Sequence, residues 1–150
     1  MGERPVLPKP RPAPTPVTQP FWDALREERV VLQRCGACDS WVYYPRARCP
    51  RCLSGDLTWQ EVSGRGHLFS FTVTHQPTTY QFADEMPQVI AIVELDEGVR
   101  LTSTLVGPAG PGSTGTEGEG HPDSLKVGLP VVPVFDHGAD GLTLLRYRLA

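Results

Sequence analysis

Four cysteines constrain this chain more than any other feature. They stand as two C-x-x-C pairs inside CGACDSWVYYPRARCPRC, residues 35 to 52, with ten residues between the pairs. Two thiols separated by two residues face one point from a single tight turn, and two such turns complete a tetrahedron. Gly36 eases the first turn, and Pro50 fixes φ in the second. The spacing predicts a four-thiolate zinc site with Cys35, Cys38, Cys49 and Cys52 as ligands. Disulfides or free thiols are the alternative, but paired cysteines in a cytosolic chain more often hold metal. All four ligands are side chains, so no position stays open for a reactive water. A closed site of this kind supplies folding energy, on the order of 10–16 kcal/mol for small zinc modules at neutral pH. That exceeds what a short hairpin gains by burial. The clamp is expected to be a structural fastening.

One hundred and fifty residues suit one domain, or a small one plus a module too small to fold alone. The longest apolar run, Val89 to Val93, is far short of the roughly 18 residues of a membrane span. No charged segment followed by an apolar stretch opens the chain, so neither membrane nor signal peptide is expected, and the location is cytoplasmic. Residues 1 to 20 carry seven prolines and almost nothing to bury. They read as a polyproline tether over 1–19, disordered or semi-stiff, of the sort that joins domains.

PFWDALREER then predicts a short helix over residues 20–29, with Thr18 as cap, Pro20 in its first turn and Phe21, Trp22 and Leu25 forming an aromatic face. VVLQR delivers the chain to Cys35, and LTWQEV leads out of the ribbon, residues 30–58. From residue 59 to 150 the texture is all-β. GHLFSFTVTH alternates, which places His67, Phe69, Phe71, Val73 and His75 on one side of a long strand. QVIAIVEL, VRLTSTLVG, LPVVPVF and LTLLRYR supply four more strands, with Gly98 turning the second into the third. Residues 107–124, with six glycines and three prolines, read as a flexible insert. The fold class is therefore all-β with a short N-terminal helix: a zinc ribbon, then a five-stranded OB-fold barrel. A β-sandwich is the competing arrangement, which periodicity does not separate.

No enzyme announces itself. The thiols are committed to metal, and His67, His75, His121 and His137 are scattered. There is no G-x-S-x-G, H-E-x-x-H, P-loop or G-x-G-x-x-G pattern. A ribbon joined to an OB barrel first points to single-stranded nucleic acid. Charge argues against it. Residues 1 to 65 hold ten basic and seven acidic groups, net +3, while residues 66 to 150 hold four basic and ten acidic, net −6. The barrel would repel a phosphate backbone. Arg34, Arg46, Arg48 and Arg51 either compensate the thiolates locally or form a phosphate patch; compensation is the simpler reading. Protein docking remains. Its candidate contacts are Tyr80 and Phe82 in the loop QPTTYQFADEMP, Phe21 and Trp22 on the helix, and Arg65 in the corner SGRG. Folding back into the core competes with docking for Phe82, Phe21 and Trp22.

In order, PFWDALREERVVLQRCGACDSWVYYPRARCPRC, WQEVSGRGHLFSFTVTH, ADEMPQVIAIVELDEGVRLTSTLVG and the closing VGLPVVPVF…LLRYR resemble the family of small acyl-CoA-associated proteins with a rubredoxin-like zinc ribbon and an OB fold. The resemblance spans roughly residues 20 to 150, and the Gly-rich insert departs from it. It implies a non-catalytic subunit that binds and stabilises a thiolase-like aldolase or acetyltransferase, with acyl-CoA as a ligand of the complex. One branch shares the proline-rich approach. There the module follows a hot-dog-fold enoyl-CoA hydratase domain and pairs with an aldolase that cleaves steroid side-chain CoA esters by retro-aldol reaction. The family's clamp matches Cys35, Cys38, Cys49 and Cys52.

Overall fold

The computed structural model describes residues 7–107 and 122–150. Most of the predicted Gly-rich insert, residues 108–121, and the start of the tether, residues 1–6, lie outside them. The helix α1 runs Gln19–Arg26, two to three residues shorter at its end than expected. Thr18 precedes it without a side-chain cap bond. Its hydroxyl instead accepts the Thr15 amide at 2.8 Å, so it tightens the approach rather than the helix. The stop lies at Glu28, whose φ of 58° is left-handed. Arg29 and Glu28 donate back to the Ala24 and Leu25 carbonyls at 2.9 and 3.0 Å, closing the helix in a Schellman turn without glycine.

Three strands form the ribbon sheet: β1 (Val30–Cys35) in the centre, flanked by β2 (Trp41–Val42) and β3 (Leu57–Val62), all antiparallel. Five more strands follow: β4 (Gly66–Thr74), β5 (Gln88–Leu95), β6 (Arg100–Leu105), β7 (Pro130–His137) and β8 (Thr143–Leu149). They close in the order β4-β5-β6-β8-β7, with β6 and β8 parallel. A single closed sheet with this strand order is an OB-type barrel, and the β-sandwich alternative falls away.

β4 does not keep one face inward. Its register against β5 shifts between Leu68 and Ser70, so Phe69 is an extra residue in a bulge. Leu68 consequently faces Val93 in the core, Phe71 faces Ala91, and Phe69 turns outward under the Arg100 guanidinium, 3.6 Å from its ring centre. His67 is outside as well, 3.5 Å from Glu94. The predicted alternation fails because a bulge exchanges the faces of everything beyond it.

One core runs through the molecule. Leu25 and Phe21 of α1, Val30 and Leu32 of β1, and Val62 of β3 pack with Leu68, Val93, Leu101, Val131 and Tyr147 of the barrel. The corner SGRG lets ribbon and barrel meet. Gly64 has φ 71°, and a Cβ at Gly66 would lie 2.1 Å from the Glu94 carbonyl oxygen. Both glycines are steric requirements, which makes SGRG a barrel corner.

Tyr147 is fully buried, and its hydroxyl has no hydrogen-bond partner in the described structure. An unsatisfied buried hydroxyl costs about 1–3 kcal/mol. Tyr147→Phe is therefore expected to leave the fold unchanged and raise stability by about 1 kcal/mol, measured as an upward shift of the denaturant midpoint.

Candidate metal centre and aromatic groove

The two knuckles are built alike. Cys35 accepts the Asp39 amide, and its own amide donates to Ser40; Cys49 accepts the Leu53 amide and donates to Ser54, all at 2.9 Å. In both, the residue after the second cysteine is left-handed, φ 59° at Asp39 and 64° at Leu53. This closes each turn and aims both of its thiols at the same point. Gly36 is needed for a different reason than turn freedom: its amide donates to the Asp56 carbonyl at 2.8 Å, and a Cβ there would collide with the Asp56 carboxylate.

The four thiols converge. Cys35 and Cys52 Sγ lie 3.5 Å apart, Cys38 and Cys49 Sγ lie 3.6 Å apart, and all four lie within 4.8 Å of one another. All are free thiols. A tetrahedron with Zn–S bonds of about 2.3 Å has edges of about 3.8 Å, so the set is close to the size that ion needs. Hydrogen bonds from the Ser40 side chain and backbone pull the Cys38 thiol down to about 6. The Ser54 amide pulls Cys52 down too, but burial and the three neighbouring thiols outweigh it and push Cys52 up to about 12. The Cys38 thiolate forms readily and Cys52 resists, which is the behaviour of a site that needs a cation to ionise fully. The distal ribbon has little else to hold it. Its buried cluster is Cys35, Val42 and Cys49, two of the three being ligand candidates.

Three of the four arginines act as local braces, Arg51 among them through a 3.3 Å bond to the Ser40 hydroxyl. Arg34 forms a two-pronged bond to Asp39 at 2.8 Å, which holds that carboxyl below its usual range, and stacks on Trp41. Arg48 donates to the Leu53 carbonyl at 3.2 Å. Gln33, a buried polar residue, was not anticipated. Its amide brackets the Arg46 backbone, donating to the carbonyl at 3.0 Å and accepting the N–H at 2.8 Å.

The predicted contact residues do not form one site. Phe21 and Trp22 are buried, against Tyr43 and Tyr44, and the Trp22 indole donates to the Tyr44 hydroxyl at 3.2 Å. Their faces are largely spent inside the chain, because the helix has to seal the joint between ribbon and barrel. What they leave open, together with Phe82, Tyr44, Ile90 and Pro10, lines a groove of about 410 Å³ beside the barrel. Lys9 spans its rim, paired with Glu85 and 5.7 Å from the Phe82 ring, and Arg11 holds Asp140 at 3.1 Å. The proline-rich segment is thus pinned across the barrel from Lys9 onward. Tyr80 lies 46% exposed on the short 3-10 turn that carries Phe82. Arg65 is exposed at the opposite end of β4, about 25 Å along the strand from that turn.

A rubredoxin-like ribbon, closed by four thiols, on an OB barrel defines the class of protein. Residues 22–58 match the family model described as "ChsH2, rubredoxin-like zinc ribbon domain", and residues 59–136 match "ChsH2, C-terminal OB-fold domain". The chain belongs to this ChsH2-type, or DUF35, family. It is 36% identical over 148 residues to a "probable enoyl-CoA hydratase alpha subunit" of Thermomonospora curvata, covering 99% of this chain and 42% of that protein. It is 35% identical to a "DUF35 domain-containing scaffold protein" of Methanothermobacter thermautotrophicus, covering 73% of this chain and 76% of the relative. Among solved structures it resembles a chain of the "Ltp2-ChsH2(DUF35) aldolase", with TM-score 0.73, 37% identity, and coverage of 93% and 98% of the two chains. The chain thus spans less than half of the hydratase-type relative and nearly all of the aldolase-associated one.

Metal content tests the centre. One Zn²⁺ per chain is expected by elemental analysis. Stripping it with a chelator is expected to loosen the ribbon and lower the thermal midpoint sharply, while Cys49→Ala is expected to abolish metal retention.

Proposed function

We propose that this chain is a non-catalytic accessory subunit that binds and stabilises a thiolase-like acyl-CoA enzyme. Zn²⁺ held by Cys35, Cys38, Cys49 and Cys52 serves as its structural ion. The partner is an aldolase that cleaves a steroid side-chain CoA thioester by retro-aldol reaction. The single observation that carries the reading is the likeness, over 93% of the chain, to the DUF35 component of an aldolase complex. The hydratase-type relatives support a longer arrangement in which such a module follows an enoyl-CoA hydratase domain.

The chain's own surface supports a partner. β5 reads Val89-Ile90-Ala91-Ile92-Val93 without a break. Its alternate residues Val89, Ala91 and Val93 fill the core, while Ile90 and Ile92 face outward and stay 37% exposed. Two outward β-branched aliphatics on β5 leave an apolar strip on a face that an antiparallel sheet ordinarily shows to water with polar residues. Ile90 also lines the aromatic groove, so sheet face and groove form one apolar surface. Two of the histidines do surface work: His137 joins Glu28 and Thr143, each at 3.0 Å, and His67 lies beside Glu94.

Within the complex, the ribbon and the glycine corners supply rigidity, and the reacting groups come from the partner. Co-expression with the thiolase-like protein of the same genome provides the test. Co-purification in fixed stoichiometry is expected, with retro-aldol cleavage by the complex and a partner that is insoluble or inactive alone. A partner equally soluble and active without this chain sinks the proposal. Tight, salt-sensitive binding of single-stranded DNA by the chain would favour the nucleic-acid alternative instead.

A further inference from the structure

The second knuckle carries a residue that its own turn disfavours. Both knuckles require a left-handed residue after the second cysteine. Glycine and asparagine adopt that conformation readily, aspartate with some ease, and leucine poorly. The first knuckle has Asp39, whose side chain is paired with Arg34. At the equivalent place the second has Leu53, with φ 64° and 69% of its surface exposed. Among the large hydrophobics of the described structure it is the most exposed. The side chain gains neither burial nor local pairing from a backbone geometry that penalises it. Folding therefore does not explain the choice of leucine.

The surroundings define what it would meet. Arg48 grips the Leu53 carbonyl at 3.2 Å, so the tip is held in place before any encounter. Arg46, Arg48 and Arg51 are all exposed, and no acidic residue occurs between Ser40 and Gly55. Over residues 34–56 the four arginines are balanced by Asp39, Asp56 and the two negative charges of a filled four-thiolate zinc site, so the ribbon has no net charge and its positive charge is local to Arg46, Arg48 and Arg51. A held apolar knob on a segment whose charged side chains, Arg46, Arg48 and Arg51, are all basic complements an apolar socket rimmed by carboxylates. It does not complement another copy of itself, because two such tips repel.

We propose that Leu53 is a docking anchor of the ribbon tip, inserted into a carboxylate-rimmed apolar socket on the thiolase-like partner. This rests on the accessory-subunit reading and names where the ribbon engages. Such an anchor accounts for zinc serving to present a knuckle as well as to close one.

The test uses the full chain and the thiolase-like protein that co-purifies with it, with affinity measured by titration calorimetry. Leu53→Asn places a better-suited residue in the turn. It is expected to retain one metal ion per chain and a thermal midpoint equal to or above wild type, while partner affinity falls on the order of tenfold or more. Leu53→Met keeps an apolar knob and is expected to bind within about threefold of wild type. Arg46→Glu is expected to weaken binding and flatten its salt dependence. Val127→Asn, which removes an almost equally bare apolar side chain from the barrel, is expected to change neither metal content nor affinity. Wild-type affinity in Leu53→Asn overturns the anchor while leaving the accessory role intact. Absence of any complex with the wild-type chain overturns the accessory role itself. Self-association of the wild-type chain that Leu53→Asn abolishes, seen by sedimentation velocity, overturns the assignment of the socket to a different protein.

Discussion

Four thiols held within 4.8 Å of one another are the constraint on which the ribbon depends. Ionised, they repel; protonated, they are weak partners for anything nearby. Only a cation in their midst makes the arrangement favourable. The consequence reaches beyond the hairpin because of β1. That strand ends in the buried ligand candidate Cys35 and begins with Val30, Val31 and Leu32, all buried. Ordering the thiols therefore orders the strand against which α1 and the barrel pack. Gln33, in the same strand, holds the ribbon loop through the Arg46 backbone. Metal affinity in such a unit is spent on the alignment of the whole core.

The charge asymmetry looks different once partners are visible. In the ribbon, the charge of Arg34 is met by the Asp39 carboxylate, so a simple sum of basic residues overstates what a phosphate would find. In the barrel, Arg146 is committed to Asp136 and Thr104, and Arg100 to Glu94 and the Phe69 ring. Phe69 is exposed, yet its face is covered by a cation. The barrel offers little of the bare aromatic platform and basic track that single strands need. What it leaves open is an apolar groove and a β-branched sheet face.

Much of this was legible in the residues, and the failures have specific causes. The C-x-x-C spacing announced the convergence, since two residues between thiols leave the chain few ways to arrange them. Strand existence followed from period-two runs and glycine corners. The inward face of β4 did not, because a bulge at Phe69 adds one residue without any local marker. The helix stop was missed by about two residues because Glu28 occupies a place where glycine is the usual signal. Phe21 and Trp22 showed an aromatic face, but a helix sequence does not say whether its own chain covers that face. Nor did composition reveal that Lys9 and Arg11 pin the proline-rich arm to Glu85 and Asp140, more than 70 residues away in the chain.

Local rules are broken in few places here, and the pattern of those breaks is informative. A barrel strand needs apolar residues on one face, yet β5 has them on both. A knuckle wants glycine or a small polar residue after its second cysteine, yet Leu53 stands there, bare to solvent. Elsewhere the glycines, the αL aspartate and the core alternation agree with the fold. Sequences are consistent across levels except where something other than folding selects a residue. Ile90, Ile92 and Leu53 have in common that each is apolar, outward-facing and unhelpful to the isolated chain. Contact with a second protein at the ribbon tip and at the barrel face removes these inconsistencies, which favours a binding module over a self-sufficient domain.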